Sequence, residues 1–126
     1  MKRIDTHAGA LEVIELPCTV PFAVHRIYWL RDTPAHATRG LHAHRTLRQV
    51  LVLLSGSVRV ELDDGHTTSV HKLHVDNPQL TIEPITWRVL SEFEEDTVIM
   101  VLASAPYDPD DYIHDYATFL TAARAS

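Results

Sequence analysis

The sequence predicts an all-β protein, a barrel or sandwich of short strands with a short C-terminal helix. Three observations carry this. Apolar runs of five to seven residues recur along the chain, several of them alternating apolar and polar. Turn residues separate them at short intervals, among them Asp63-Asp64-Gly65, whose Asp-Gly pair tolerates the positive φ of a tight hairpin. No helical period appears before about residue 108. At 126 residues the chain fits a single domain, 1–126, with no internal repeat, low-complexity tract or linker.

Taken in order, Ala10 to Leu16 and Val24 to Leu30 read as strands, separated by Pro17 and Pro21. Asp32-Thr33-Pro34 is a loop signal. His42 to Leu54 reads as one long strand or a pair, closed by Ser55-Gly56-Ser57. Val58 to Leu62 alternates as a half-buried strand does, and Thr67 to Val75 alternates again beyond the Asp-Gly turn. Asp76-Asn77-Pro78 ends that run. Leu80 to Glu83, Trp87 to Glu92 and Thr97 to Ala103 complete the series, with Glu94-Glu95-Asp96 as a polar turn. Asp108-Pro109-Asp110-Asp111 then reads as the start of the helix, since acidic residues and proline both suit a first turn. Tyr112, Tyr116, Phe119 and Leu120 would pack on one side of it.

Composition narrows the class. Apolar content is 45%, charged content 22% and net charge −6, as in a soluble globular protein with no nucleic-acid or anionic-membrane partner. The single cysteine, Cys18, cannot form an internal disulfide and reads as a small, half-buried residue. Asp5, Thr6 and His7 stand where a signal peptide needs an apolar run, and no aliphatic stretch is long enough to span a bilayer. The expectation is a cytoplasmic protein.

The chemistry concentrates in Arg39-Gly40-Leu41-His42-Ala43-His44, followed by Gln49 and Gly56. Histidines at i and i+2 share one face of a strand, while Leu41 and Ala43 point to an apolar packing face. Two imidazoles inside a barrel can hold a metal or move protons. The spacing resembles the first cupin motif, in which two histidines and a glutamate surround a metal. Here the third ligand position holds Gln49, a neutral amide and a poor ligand beside a carboxylate. The second motif's histidine is absent from Pro84-Ile85-Thr86-Trp87-Arg88, so the ligand set disfavours a metal. An imidazole with an ordinary pKa of about 6.5 suits general acid–base work instead, as in carbonyl–enol chemistry. The bland alternative is a pair of hydrogen-bonded histidines in a polar interior.

Further segments occur in a characteristic order: Gln49 to Gly56, Asp63-Asp64-Gly65, Pro84 to Arg88, Val101-Leu102-Ala103-Ser104, and Tyr107-Asp108 followed by Asp111-Tyr112-Ile113. With the histidine segment they resemble the dTDP-sugar 3,4-ketoisomerases, WxcM-like cupins of deoxysugar biosynthesis. The likeness runs from about Pro21-Phe22 to Phe119. It implies a cupin-type double-stranded β-helix, a jelly-roll barrel that acts as a homodimer without metal or organic cofactor. The implied reaction converts dTDP-4-dehydro-6-deoxy-D-glucose to a dTDP-3-dehydro-6-deoxyhexose through an enediol, supplying sugars that are normally aminated at C3.

On that reading His42 takes the C3 proton and His44 polarises the carbonyl or carries the proton between oxygens, the two roles being interchangeable. Arg39 is the first choice for the diphosphate or the enediolate, because a guanidinium stays charged and donates parallel hydrogen bonds. Arg88 is the second, with Arg26 and Tyr28 on a strand facing the same interior. Arg26 or Arg88 as a barrel-end ion pair, and Tyr28 as a core residue, are the bland alternatives. Gln49 binds a sugar hydroxyl or fixes His44, and Trp87 reads as core. An arginine at position 88 favours the gluco over the galacto product. His114 stands where the family often has an arginine, and His71 and His74 read as surface residues. A metal-dependent cupin enzyme, a dTDP-sugar 3,5-epimerase and a non-catalytic nucleotide-sugar-binding module are the competing functions.

Overall fold

A computed structural model describes residues 2–16 and 19–125; the expectation for Cys18 lies outside them. Two antiparallel sheets face each other. One is ordered β3 (Arg26–Leu30), β10 (Val98–Ala103), β5 (Gln49–Ser55), β8 (Gln79–Ile82). The other is ordered β11 (Tyr112–Ile113), β4 (Arg39–His44), β9 (Trp87–Ser91), β6 (Val58–Asp63), β7 (Thr68–Leu73). Leu51 and Leu53 of β5, Ile82 of β8, Ile99 and Val101 of β10, Val58 and Val60 of β6, Leu73 of β7 and Leu90 of β9 fill the space between them. This is the jelly-roll plan that the resemblance implies. Strand residues of alternate parity form the outer faces, and those too are partly covered. Val20 packs on Val50, Val52 and Leu102 outside the first sheet, while Phe119 and Ala123 pack on Ala43 and Trp87 outside the second.

The predicted strands appear with ends shifted by a few residues, and the His42 to Leu54 run is a pair, β4 and β5. Three expectations need correction. A first strand, β1 (Lys2–Thr6), precedes β2 (Gly9–Val13) in a separate hairpin, where the sequence signals only the second. Its residues are exposed throughout, so no burial pattern marks it. The acidic segment does not open the helix. Pro109–Asp111 is a 3₁₀ turn capped by the Asp108 side chain, and Tyr112, expected on the helix, lies in β11, paired with His44. The helix α1 spans Tyr116–Arg124, and the Asp115 carboxylate caps it by accepting from the Thr118 backbone N–H at 2.9 Å. Finally, Leu41 does not join an apolar face. It is 50% exposed at φ 56 in a bulge, leaving Ala43 alone to pack.

Helix α1 is fixed on the β6–β7 turn. The Tyr116 hydroxyl donates to Asp63 at 2.6 Å, Arg124 Nε donates to the Gly65 carbonyl at 3.1 Å, and a Cβ at Gly65 would stand 2.6 Å from that of Ala123.

Candidate active site

The site is built on β4, and the bulge determines its geometry. Gly40 pairs with Val89 and His42 with Arg88, with Leu41 as the extra residue between them. Arg88 thereby stands directly across the ladder from His42. A Cβ on Gly40, at φ 89, would lie 2.7 Å from the Arg88 carbonyl oxygen, so only glycine lets the two strands approach. Beyond the bulge the two histidines share a face, their rings edge-to-face with centroids 4.9 Å apart.

A cavity of about 330 Å³ opens between the sheets, lined by Arg26, Tyr28, Arg39, His42, Gln49, Arg88 and Tyr112 over an apolar floor that includes Leu51, Ile82 and Val101. Six of the seven expected site residues therefore converge on one cavity. The seventh, His44, is 1% exposed and stands behind His42 and Tyr112, on the wall of a separate chamber of about 50 Å³. Burial alternates along β3, so Arg26, Tyr28 and Leu30 face inward and Ile27 and Trp29 outward.

His42 Nδ1 lies 2.9 Å from the Gly40 carbonyl oxygen. A carbonyl only accepts, so Nδ1 carries the proton and Nε2 keeps its lone pair. Burial, and then the positive charge of Arg88, push the His42 pKa down to about 4, keeping the ring neutral at pH 7. His44 is shifted down for the same two reasons, with His42 adding to them.

Arg88 is 3% exposed, an unusual place for a guanidinium. Burial lowers its pKa to about 10, which leaves it charged near neutrality. It donates through Nη1 to Gln49 Oε1 and through Nη2 to the Thr86 carbonyl at 3.1 Å. Among the described residues no carboxylate neutralises it. Because arginine only donates, the Gln49 amide is oriented with its nitrogen toward Tyr28, whose hydroxyl oxygen accepts at 2.8 Å. The Tyr28 hydroxyl proton is then left free beside the cavity, and burial, followed by the nearby Tyr112, raises the pKa of the phenol. The Gln49 amide thus hydrogen-bonds Arg88 and Tyr28 rather than His44.

Arg39 is exposed and lines the cavity; Arg26 lies 5.3 Å over the Tyr28 ring and 5.7 Å over the Tyr107 ring. Trp87 is core, edge-on to Tyr116 at 5.3 Å. Sequence reasoning misses three residues of this neighbourhood. Tyr112 lies 5.0 Å from the His42 ring, His114 stacks on Tyr112 at 5.2 Å, and Asp111 Oδ2 stands 3.3 Å from His44 Nδ1. The available signal is the i, i+2 spacing of Tyr112 and His114, masked by the acidic, proline-containing segment before it. Among the described residues no three histidine, cysteine or carboxylate side chains converge as a metal site.

Comparison with known proteins agrees with this geometry. The model of the FdtA family, described as WxcM-like, C-terminal, matches residues 1–124. The TDP-4-oxo-6-deoxy-alpha-D-glucose-3,4-oxoisomerase of Aneurinibacillus thermoaerophilus is 42% identical over 120 residues, covering 94% of this chain and 85% of that one. The crystal structure of QdtA, a sugar 3,4-ketoisomerase from Thermoanaerobacterium thermosaccharolyticum in complex with TDP, superposes with a TM-score of 0.92 at 35% identity, over 98% of this chain and 90% of that one. The WlaRB TDP-quinovose 3,4-ketoisomerase from Campylobacter jejuni gives 0.88 at 36% identity, over 95% and 92%. With matches that span nearly its whole length, the chain belongs to the FdtA family of WxcM-like sugar 3,4-ketoisomerases.

Proposed function

We propose that this chain moves the ketone of dTDP-4-dehydro-6-deoxy-D-glucose from C4 to C3. The observation that carries the reading is a neutral histidine with a free Nε2 lone pair, lining a cavity directly across the strand ladder from a buried, uncompensated arginine. The C4 carbonyl acidifies the C3 hydrogen. His42 takes that proton, and charge moves onto O4 to form an enediolate. Arg88, already desolvated and positioned, stabilises this charge without reorganisation. His44, whose ring stands edge-on behind that of His42, relays protons from that side and does not touch the sugar. The O3 hydroxyl proton passes to O4, and the free Tyr28 hydroxyl supplies the proton that C4 receives. No electrons leave the sugar: C3 is oxidised as C4 is reduced. Arg39 and Arg26 take the diphosphate, since their guanidiniums lie along the same cavity. Arg88, and the likeness to a TDP-quinovose enzyme, support the gluco-configured product.

The reading includes a homodimer and a cytoplasmic location, where nucleotide sugars are made and consumed. No helix among the described residues is long and apolar enough to cross a membrane.

Incubation with dTDP-4-dehydro-6-deoxyglucose in deuterium oxide, followed by NMR, tests the activity. A C3 ketone labelled at C4 is expected. Label with inversion at C5 would identify an epimerase, and saturable binding without exchange a binding module; either would overturn the proposal. His42→Asn should keep dTDP affinity within about threefold yet lose ~10²-fold or more in turnover, the scale of a positioned base.

A further inference from the structure

The carboxylate of Asp111 is held from several sides. Its Oδ1 accepts from the Thr46 backbone N–H at 2.9 Å and the Thr46 hydroxyl at 2.8 Å, and its Oδ2 accepts from the Leu47 N–H at 3.2 Å. The Arg45 N–H donates to the Asp111 carbonyl at 2.9 Å, completing the attachment of this turn to the end of β4. The same Oδ2 stands 3.3 Å from Nδ1 of His44. Burial acts to raise the Asp111 pKa, but the bonds from Thr46 and Leu47 and the nearby His44 outweigh it, so the group stays ionised.

The consequence falls on His44. Its ring is buried and neither nitrogen makes an aligned hydrogen bond among the described residues, so the Asp111 oxygen at 3.3 Å is the polar group that faces Nδ1. A bare Nδ1 would set its lone pair against a fixed carboxylate oxygen, whereas an Nδ1–H meets an acceptor. The carboxylate thus selects one tautomer, leaving the lone pair on Nε2 at the far side of the ring. It is also the only carboxylate ion-paired with this ring among the described residues, while Arg88 and His42 both disfavour a positive charge there.

We infer that Asp111 is a positioning residue, acting through His44: it fixes the Nδ1–H tautomer and supplies the countercharge while that ring carries a proton. The inference deepens the ketoisomerase reading and rests on it for the rate effect, but the tautomer is measurable without any substrate. Long-range ¹H–¹⁵N NMR of the protein labelled at histidine should show His44 as the Nδ1–H form. The Nε2–H form in the unmodified protein would overturn the inference, whatever the activity.

Asp111→Asn should shift the tautomer populations and lower kcat by about 10²-fold, with KM for the nucleotide sugar within about twofold. Asp110→Asn, which removes the same charge one residue away, should change neither quantity by more than twofold. Equal losses in the two variants, or an unchanged kcat in Asp111→Asn, would overturn the positioning role. An inactive parent protein whose His44 carries the proton on Nδ1 would instead count against the ketoisomerase reading.

Discussion

His42 is an ordinary imidazole in an environment that opposes its charge. Burial comes first and Arg88 second, and together they bring its pKa to about 4 against about 6.5 in a free peptide. Such a ring is a weaker base than an unperturbed one, but it is wholly unprotonated at pH 7, and in the proposed mechanism the arginine that depresses it also stabilises the enediolate. Protonation removes the base, so kcat/KM should stay level through neutrality and fall only as the pH drops through about 4. A pH–rate profile checks this, and an acid limb near 6.5 would contradict it. Between those values the unfolded chain binds a proton that the folded one does not, so stability also declines on acidification, and circular dichroism should accompany the assay. At this scale much of the site is legible in the sequence. His42, His44, Gln49, Arg26 and Tyr28 follow strand periodicity, which assigns side chains to a face from their spacing alone. Asp111 is not legible, because its contact with His44 joins positions 67 residues apart, and because an acidic segment with proline reads equally well as a helix start.

At the scale of elements, the corners between the two sheets carry constraints that strand patterns do not display. Ser55-Gly56-Ser57 passes the chain from β5 in one sheet to β6 in the other. Gly56 has φ 79, and a Cβ there would stand 2.6 Å from Thr97 Cα and closer still to the Thr97 hydroxyl. That hydroxyl cannot move aside freely, since it donates within reach of the Ser57 and Glu94 carbonyls and accepts from the Ser57 N–H at 3.2 Å. Gly56→Ala combines a left-handed backbone with a steric clash and should cost about 2 kcal/mol or more. Urea titration reads this as a lower midpoint at unchanged slope, and a loss below about 0.5 kcal/mol would contradict it. The glycine and the turn are visible in the sequence. The bulge at Leu41 is not, because one extra residue leaves the i, i+2 relation of His42 and His44 intact while changing what precedes it. β11 is equally hidden, two residues being too few to show a period.

At the scale of the whole molecule, one hairpin stands outside both sheets. β1 and β2 pair only with each other, and an isolated two-stranded hairpin is at best marginal in water. Ile4 and Leu11 stand opposite one another in its register and both are exposed. On the outer face of β3, Ile27 and Trp29 are 49% and 52% exposed, while Arg26 and Tyr28 on the same strand line the cavity. In the proposed homodimer, the exposed Ile4–Leu11 pair of the hairpin and the apolar outer face of β3 would be the two complementary halves of a symmetric contact, each copy's hairpin covering its partner's sheet. The same strand would then carry the interface on one side and line the cavity on the other. Size-exclusion chromatography with light scattering at about 10 µM should give twice the mass of one chain. Replacing Ile27 and Trp29 together by glutamate, which leaves the inward residues untouched, should give the mass of a single chain with the β-sheet circular dichroism retained. A parent protein that runs as a single chain at that concentration, or a double variant that stays dimeric, would show that the hairpin and this sheet face are not joined in that way.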